Sequence, residues 1–121
     1  MFKDSISRFI QEVAQDNECI EIIVDFLESC QNYTSKASTL ELASIIKRYN
    51  MEGNEYRKYI LDLTNSRNKS YNALIANFKI INRLCDAKNI QPPISCNLED
   101  SEEVDDIAIK LVEELFRTRK I

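Results

Sequence analysis

Apolar residues recur along this chain at intervals of three and four, the spacing that puts side chains on one side of a helix. From Gly53 to Lys88 the pattern is longest. At 100° per residue Tyr56, Ile60, Leu63, Tyr71, Leu74, Phe78, Ile81 and Cys85 fall in one stripe. Its two halves stay in phase across the polar run Thr64 to Ser70, which predicts one long helix over about 53–88. The Asn and Ser side chains of that run compete for backbone hydrogen bonds and favour a break. The unbroken phase outweighs them. Such a helix is about 50 Å long, whereas a compact domain of this length is only about 35 Å across. One end therefore projects, and a second subunit is expected to cover it.

The flanking pattern predicts four further helices. Phe2, Ile6, Phe9, Ile10 and Val13 define a first one, from about Lys3 to Gln15, with Asn17 as N-cap of the next. Glu18 to Gln31 carries Cys19, Ile20, Ile22, Ile23, Val24, Phe26, Leu27 and Cys30, too many apolar residues for a narrow stripe, so this helix is expected to be largely buried. Asn32 to Ser38 reads as a polar connector, and Ser38 with Glu41 matches a capping box. The helix so started is expected to turn Leu42, Ala43, Ile45, Ile46 and Tyr49 inward and to end near Asn50. Gly53 then serves as a left-handed terminator. Pro92 and Pro93 end the long helix and hold Ile90 to Leu98 extended. Asp100 or Ser101 caps the last helix, with Glu103 placed to bond back. Val104, Ile107, Ala108, Leu111, Val112, Leu115 and Phe116 form its apolar face, and its acidic start and basic end suit the helix dipole. This helix is expected to dock across the long one or to exchange between subunits. The expected architecture is a single all-α domain, 1–121, of about five helices in an orthogonal or irregular bundle around the long central helix.

Composition narrows the class. One glycine and two prolines leave little material for hairpin turns, so an all-β fold is excluded. With 44% hydrophobic and 30% charged residues the chain is globular, and no apolar run approaches the ~20 residues of a membrane span. The first residues, Met-Phe-Lys-Asp-Ser-Ile, carry charges where a signal peptide needs an apolar core, so a cytoplasmic location is expected. Cys19 and Cys30 share one helix face about 16 Å apart, beyond the ~7 Å reach of a disulfide. Histidine is absent, so a zinc site would need all four cysteines gathered from distant segments, and buried thiols are expected instead. Glu18, Glu21, Asp25 and Glu28 line one helix side, but di-iron bundles pair Glu with His, and a solvated acidic face fits better. No metal and no cofactor are expected.

Charge is uneven. Residues 53–88 carry seven Lys/Arg against three Asp/Glu, whereas residues 1–30 carry two against seven and residues 89–121 four against eight. Lys47, Arg48, Arg57, Lys58, Arg67 and Lys69 could form a nucleic-acid face on the helices at 40–70. The net charge of −4 repels phosphate at long range and disfavours that reading. Arg67 falls within the apolar stripe, where a buried, unpaired guanidinium costs ~3–5 kcal/mol. It is expected to pair with a carboxylate of an acidic helix, to snorkel outward, or to line an anion pocket, with Ser70 and Asn77 completing a polar network.

The segment Arg67 to Cys85, with Asn72-Ala73-Leu74-Ile75 and Ile81-Asn82-Arg83-Leu84-Cys85, resembles a bacterial family of small helical proteins with no assigned function. A histidine often precedes the Asn-Ala-Leu stretch in that family, and here the position is Tyr71. The resemblance implies a helical fold and carries no activity. Phosphate-cradling glycine loops are missing, and no histidine is available to activate a cysteine. No catalytic residue and no enzyme activity are expected. Two readings remain: an interaction module that dimerises or binds a partner helix, and a nucleic-acid-associated regulator whose basic residues must gather on one exposed face.

Overall fold

The computed structural model describes residues 2–46, 53–92 and 97–119, with side chains from Ser5 onward. It contains α1 (Phe2–Val13), α2 (Asn17–Ile46), α3 (Asn54–Ala87) and α4 (Ser101–Arg119), with no strand among the described residues. The all-α class holds. The helix number is four rather than five, because the expected connector Asn32 to Ser38 is helical and joins two expected helices into α2.

The hydroxyls of this run explain the difference. Thr34 Oγ1 donates to Gln31 O at 3.2 Å and Thr39 Oγ1 to Ser35 O at 3.0 Å. Both bond back to the preceding turn, an option that keeps a polar residue inside a helix. Ser38 and Glu41 therefore sit mid-helix rather than in a capping box. The run contains neither glycine nor proline to stop it. Its first aromatic, Tyr33, is buried and donates to Glu99 O at 2.6 Å, so tertiary contact reinforces the helix where propensity is weak.

α3 runs unbroken through Thr64 to Ser70 for 34 residues, about 50 Å. It lies antiparallel to α2. Tyr56 Oη donates to Ala43 O at 2.7 Å, the Tyr33 and Tyr71 rings stand 5.4 Å apart, and Asn77 Nδ2 donates to Asp25 O at 3.3 Å. Every residue of the expected stripe is buried or half-buried. α4 packs on α2 and α1 rather than across α3, and α2 is the element that both long neighbours touch. The centre of the bundle is thus α2 and not the helix at 53–88. Seven α2 residues are buried against three in α3, because α2 is apolar on more sides.

Helix ends depart from expectation in three places. Asp16, not Asn17, caps α2: its Oδ1 accepts from Glu18 N at 2.9 Å. This bond and the turn to Cys19 hold the Asp16 carboxyl below its ordinary value. Gly53 is extended (φ −72°, ψ 164°) and precedes α3 as N-cap, so it is not a left-handed terminator. α3 ends at Ala87, ahead of the prolines, with Lys88 as C-cap and Asn89 in the left-handed region (φ 57°) just beyond it. Ile90 N bonds Cys85 O at 3.0 Å and Asn89 N bonds Asp86 O at 3.2 Å, the pair of bonds that defines a Schellman motif. At α4 the expected cap forms, although Glu103 reaches past it to Asn97 rather than to the cap's own N–H. Asp100 Oδ1 accepts from Glu102 N at 3.0 Å, and Glu103 Oε2 reaches back to Asn97 N at 2.9 Å.

The core sits at one end of the long helices. Ile6, Phe9, Ile10 and Val13 of α1 meet Ile23 and Phe26 of α2, Leu74 and Ile81 of α3, and Val104, Ile107 and Leu111 of α4. Each such side chain contributes about 1.5–3 kcal/mol of burial. Beyond Tyr33, α2 has one buried residue, Ala43, and α3 before Leu74 has none. That end of the molecule is a two-helix arm.

Candidate functional site

The arm is built from α2 after Tyr33 and from α3 before Leu74. Its inner seam is thin: Ala43 is buried, while Leu40, Tyr56, Ile60 and Leu63 are half-buried. Leu42, Ile45 and Ile46 lie within about 100° of one another on α2 and are exposed, Leu42 by 63%. Tyr59 and Leu61 of α3 are exposed as well. Leu42, Ile45 and Ile46 thus point outward, contrary to the inward placement expected of them. In α2 the seam toward α3 passes through Leu40 and Ala43 instead. Tyr49 lies outside the described residues.

At the root of the arm a cavity of about 550 Å³ is lined by Tyr33, Leu40, Glu41, Ser44, Arg67 and Glu99, among others. Arg67 is half-buried and its Nη2 donates to Asn68 Oδ1 at 3.1 Å. Among the described residues no carboxylate forms an ion pair with it, so the guanidinium turns along its own helix toward the cavity. Burial pushes the Tyr33 phenol up, against the opposing pull of the Arg67 charge. Ser70 is half-buried one turn further on. Asn77 is bonded to the α2 backbone at Asp25 and not to Arg67. Arg67, Ser70 and Asn77 share a side of α3, yet no hydrogen bond links them among the described residues.

Of the basic residues, Lys47 and Arg48 lie outside the described residues. Arg57, Lys58 and Lys69 are exposed on α3. Lys58 and Arg67 are nine residues apart, which puts them on opposite sides of the helix at 100° per residue. Lys69 sides with Lys58. Arg57 lies within about 120° of both, so these three exposed cations share one side of α3 and the half-buried Arg67 stands apart from the two lysines.

A second surface lies between α2 and α4, which run in opposite senses. Leu27, Ala108, Ile109 and Val112 line its apolar part, a groove of about 370 Å³. Toward the first turn of α4 it widens into a polar part of about 710 Å³, bordered by Ser35, Ser38, Glu41, Asp100, Glu102 and Asp105. Val112 and Phe116 belong to the stripe expected to face the core, but both are exposed, by 51% and 61%. The face of α4 that meets α1 and α2 runs instead through Val104, Ile107, Leu111 and Leu115. Glu114 shares this buried face and pairs with Arg117 at 3.1 Å.

Glu18, Glu21, Asp25 and Glu28 are all exposed, the solvated acidic face expected of them. Cys19, Cys30 and Cys85 are buried thiols, as expected, and Cys96 lies outside the described residues. Burial pushes the Cys85 thiol up to about 11 and raises Cys19, with Asp16 adding to the latter. No helix among the described residues is long and apolar enough to cross a membrane.

The fold and these surfaces define a small all-helical protein with a hydrophobic base and an exposed helical-hairpin arm. The chain belongs to the family described as a protein of unknown function (DUF3232), whose model matches residues 2–121. This agrees with the resemblance of residues 67–85 to an uncharacterised helical family. No curated protein and no solved structure matches the chain.

Proposed function

We propose that this protein is a homodimeric interaction module that works by binding and not by catalysis. One observation carries the reading: the arm presents Leu42, Ile45, Ile46, Tyr59 and Leu61 to solvent on two helices that bury almost nothing between them. A second copy laid against the Leu42, Ile45 and Ile46 side of α2 covers apolar surface that one arm alone leaves in water. At ~25 cal/mol per Å² of apolar surface removed from water, covering these side chains on both copies outweighs their exposure in the monomer. Buried thiols fit a reducing compartment, and we assign the protein to the cytoplasm.

The net charge of −4, which repels phosphate at long range, supports a protein partner over nucleic acid. Sedimentation equilibrium tests the reading. The expected mass is twice the 14.1 kDa chain, about 28 kDa, at micromolar concentration. A single species of 14.1 kDa up to the highest soluble concentration overturns it.

A further inference from the structure

The groove between α2 and α4 runs along the side of α2 that also carries Leu42 and Ile45, and its lining changes along its length. One half is mainly apolar, lined by Leu27, Ala108, Ile109 and Val112, with Gln31, Asp105 and Glu113 at its edges. The other half carries Glu41, Asp100, Glu102 and Asp105, with no lysine or arginine among its lining residues. Asp100 is engaged at the start of α4, where it accepts from Glu102 N and Glu103 N. Glu41, Glu102 and Asp105 make no such bond among the described residues and are exposed. From Leu27 to Glu41 the groove follows α2 for about 21 Å, the length of roughly 14 helical residues.

Two antiparallel helices with a furrow between them form the seat for a third helix, which packs its ridge of side chains into that furrow. The floor suits apolar residues repeating at three and four. Positive charge opposite the carboxylates at the far end is attracted to them, whereas an acidic segment would meet like charge. From this division of the lining we infer that the α2–α4 groove is a docking site for a basic amphipathic helix of another protein. Its apolar residues seat against Leu27, Ile109 and Val112, and its lysines or arginines reach Glu41, Glu102 and Asp105. The inference rests on the reading that this chain acts by binding, and it holds whether or not the arm pairs with a second copy.

The test uses the full chain carrying Leu42→Gln and Ile45→Gln, so that arm pairing plays no part and no charge is added beside Glu41. The probe is a fluorescent synthetic peptide of about 14 residues, with leucines on one helical face at one end and lysines at the other. Anisotropy gives affinity, and backbone amide shifts give location. The expected result is binding mapped to α2 and α4, weakened by salt. Val112→Asp weakens it about tenfold or more, as does Glu102→Lys with Asp105→Lys, each about 1.4 kcal/mol or more. Helicity by circular dichroism verifies that these variants fold. The inference is overturned if a shuffled peptide of the same composition, or one with glutamate for lysine, binds equally well. It is also overturned if the shifts map to α3 or to α2 beyond Glu41, or if groove amides shift with protein concentration alone, which would make a second copy the occupant.

Discussion

At the scale of single residues, Asn89 and Cys85 show how little the local sequence pattern says about cost. Asn89 takes a left-handed conformation (φ 57°) so that Ile90 N can reach back to Cys85 O. A β-branched residue there strains the turn, so Asn89→Val is expected to lower stability by about 1–2 kcal/mol. Asn89→Gly is expected to match or slightly exceed the wild type, since glycine takes this conformation at no steric cost. Urea unfolding midpoints distinguish the two. Cys85 sits in the core with its thiol raised from the ordinary 9.0 to about 11. A group whose pKa is raised on folding contributes stability that is complete below the unfolded value and is lost as pH rises through the folded one. The protein is therefore expected to weaken between pH 9 and 11, and Cys85→Ser to flatten that part of the profile. An unchanged slope in the variant would assign the loss to other groups.

At the scale of elements, the continuity of α2 decides the shape of the molecule. If residues 32–38 were a connector, Ser38→Pro would be nearly silent. Inside a helix proline removes a hydrogen bond and clashes with the preceding turn, so a loss of about 3 kcal/mol is expected. Tyr33 ties this helix to the segment before α4 through its 2.6 Å bond to Glu99 O. Tyr33→Phe removes that bond and leaves the ring contact with Tyr71, for an expected loss of about 1 kcal/mol.

Much of this level was legible from spacing. The apolar stripe of α3 held its phase across Thr64 to Ser70, and the helix is unbroken there. Asp100 and Glu103 gave a true N-terminal signal. Between Asn32 and Ser38 the Ser, Thr and Asn residues do not break the helix, since neither glycine nor proline interrupts the run. Carried through that run at 100° per residue, Cys19, Ile23, Phe26, Cys30 and Tyr33 lead in phase to Ala37 and Leu40. Leu42 and Ile46 then fall on the opposite side, where the structure exposes them. Their outward direction was present in the periodicity but hidden by the assumed break. The docking of α4 on α1 and α2 was not legible, because its apolar residues spread over two faces and only packing chooses between them.

At the scale of the whole molecule, the account turns on an imbalance between two ends. The base has a core drawn from all four helices, whereas the arm has two helices and one buried alanine. A two-helix hairpin of this kind buries too little apolar surface to be rigid on its own. Under the proposed pairing a second copy covers Leu42, which otherwise stands 63% exposed. The same imbalance sets what a dimer should look like: elongated, with the two bases at opposite ends and the paired arms between them.

The most direct test is light scattering of three chains side by side at equal concentration: the wild type, Leu42→Glu with Ile45→Glu in the arm, and Val112→Glu on α4. All three must show the same helicity. The account predicts about 28 kDa, twice the 14.1 kDa chain, for the wild type and the Val112 variant, and 14.1 kDa for the arm variant. A wild type that is already monomeric, or an arm variant that stays dimeric, contradicts it.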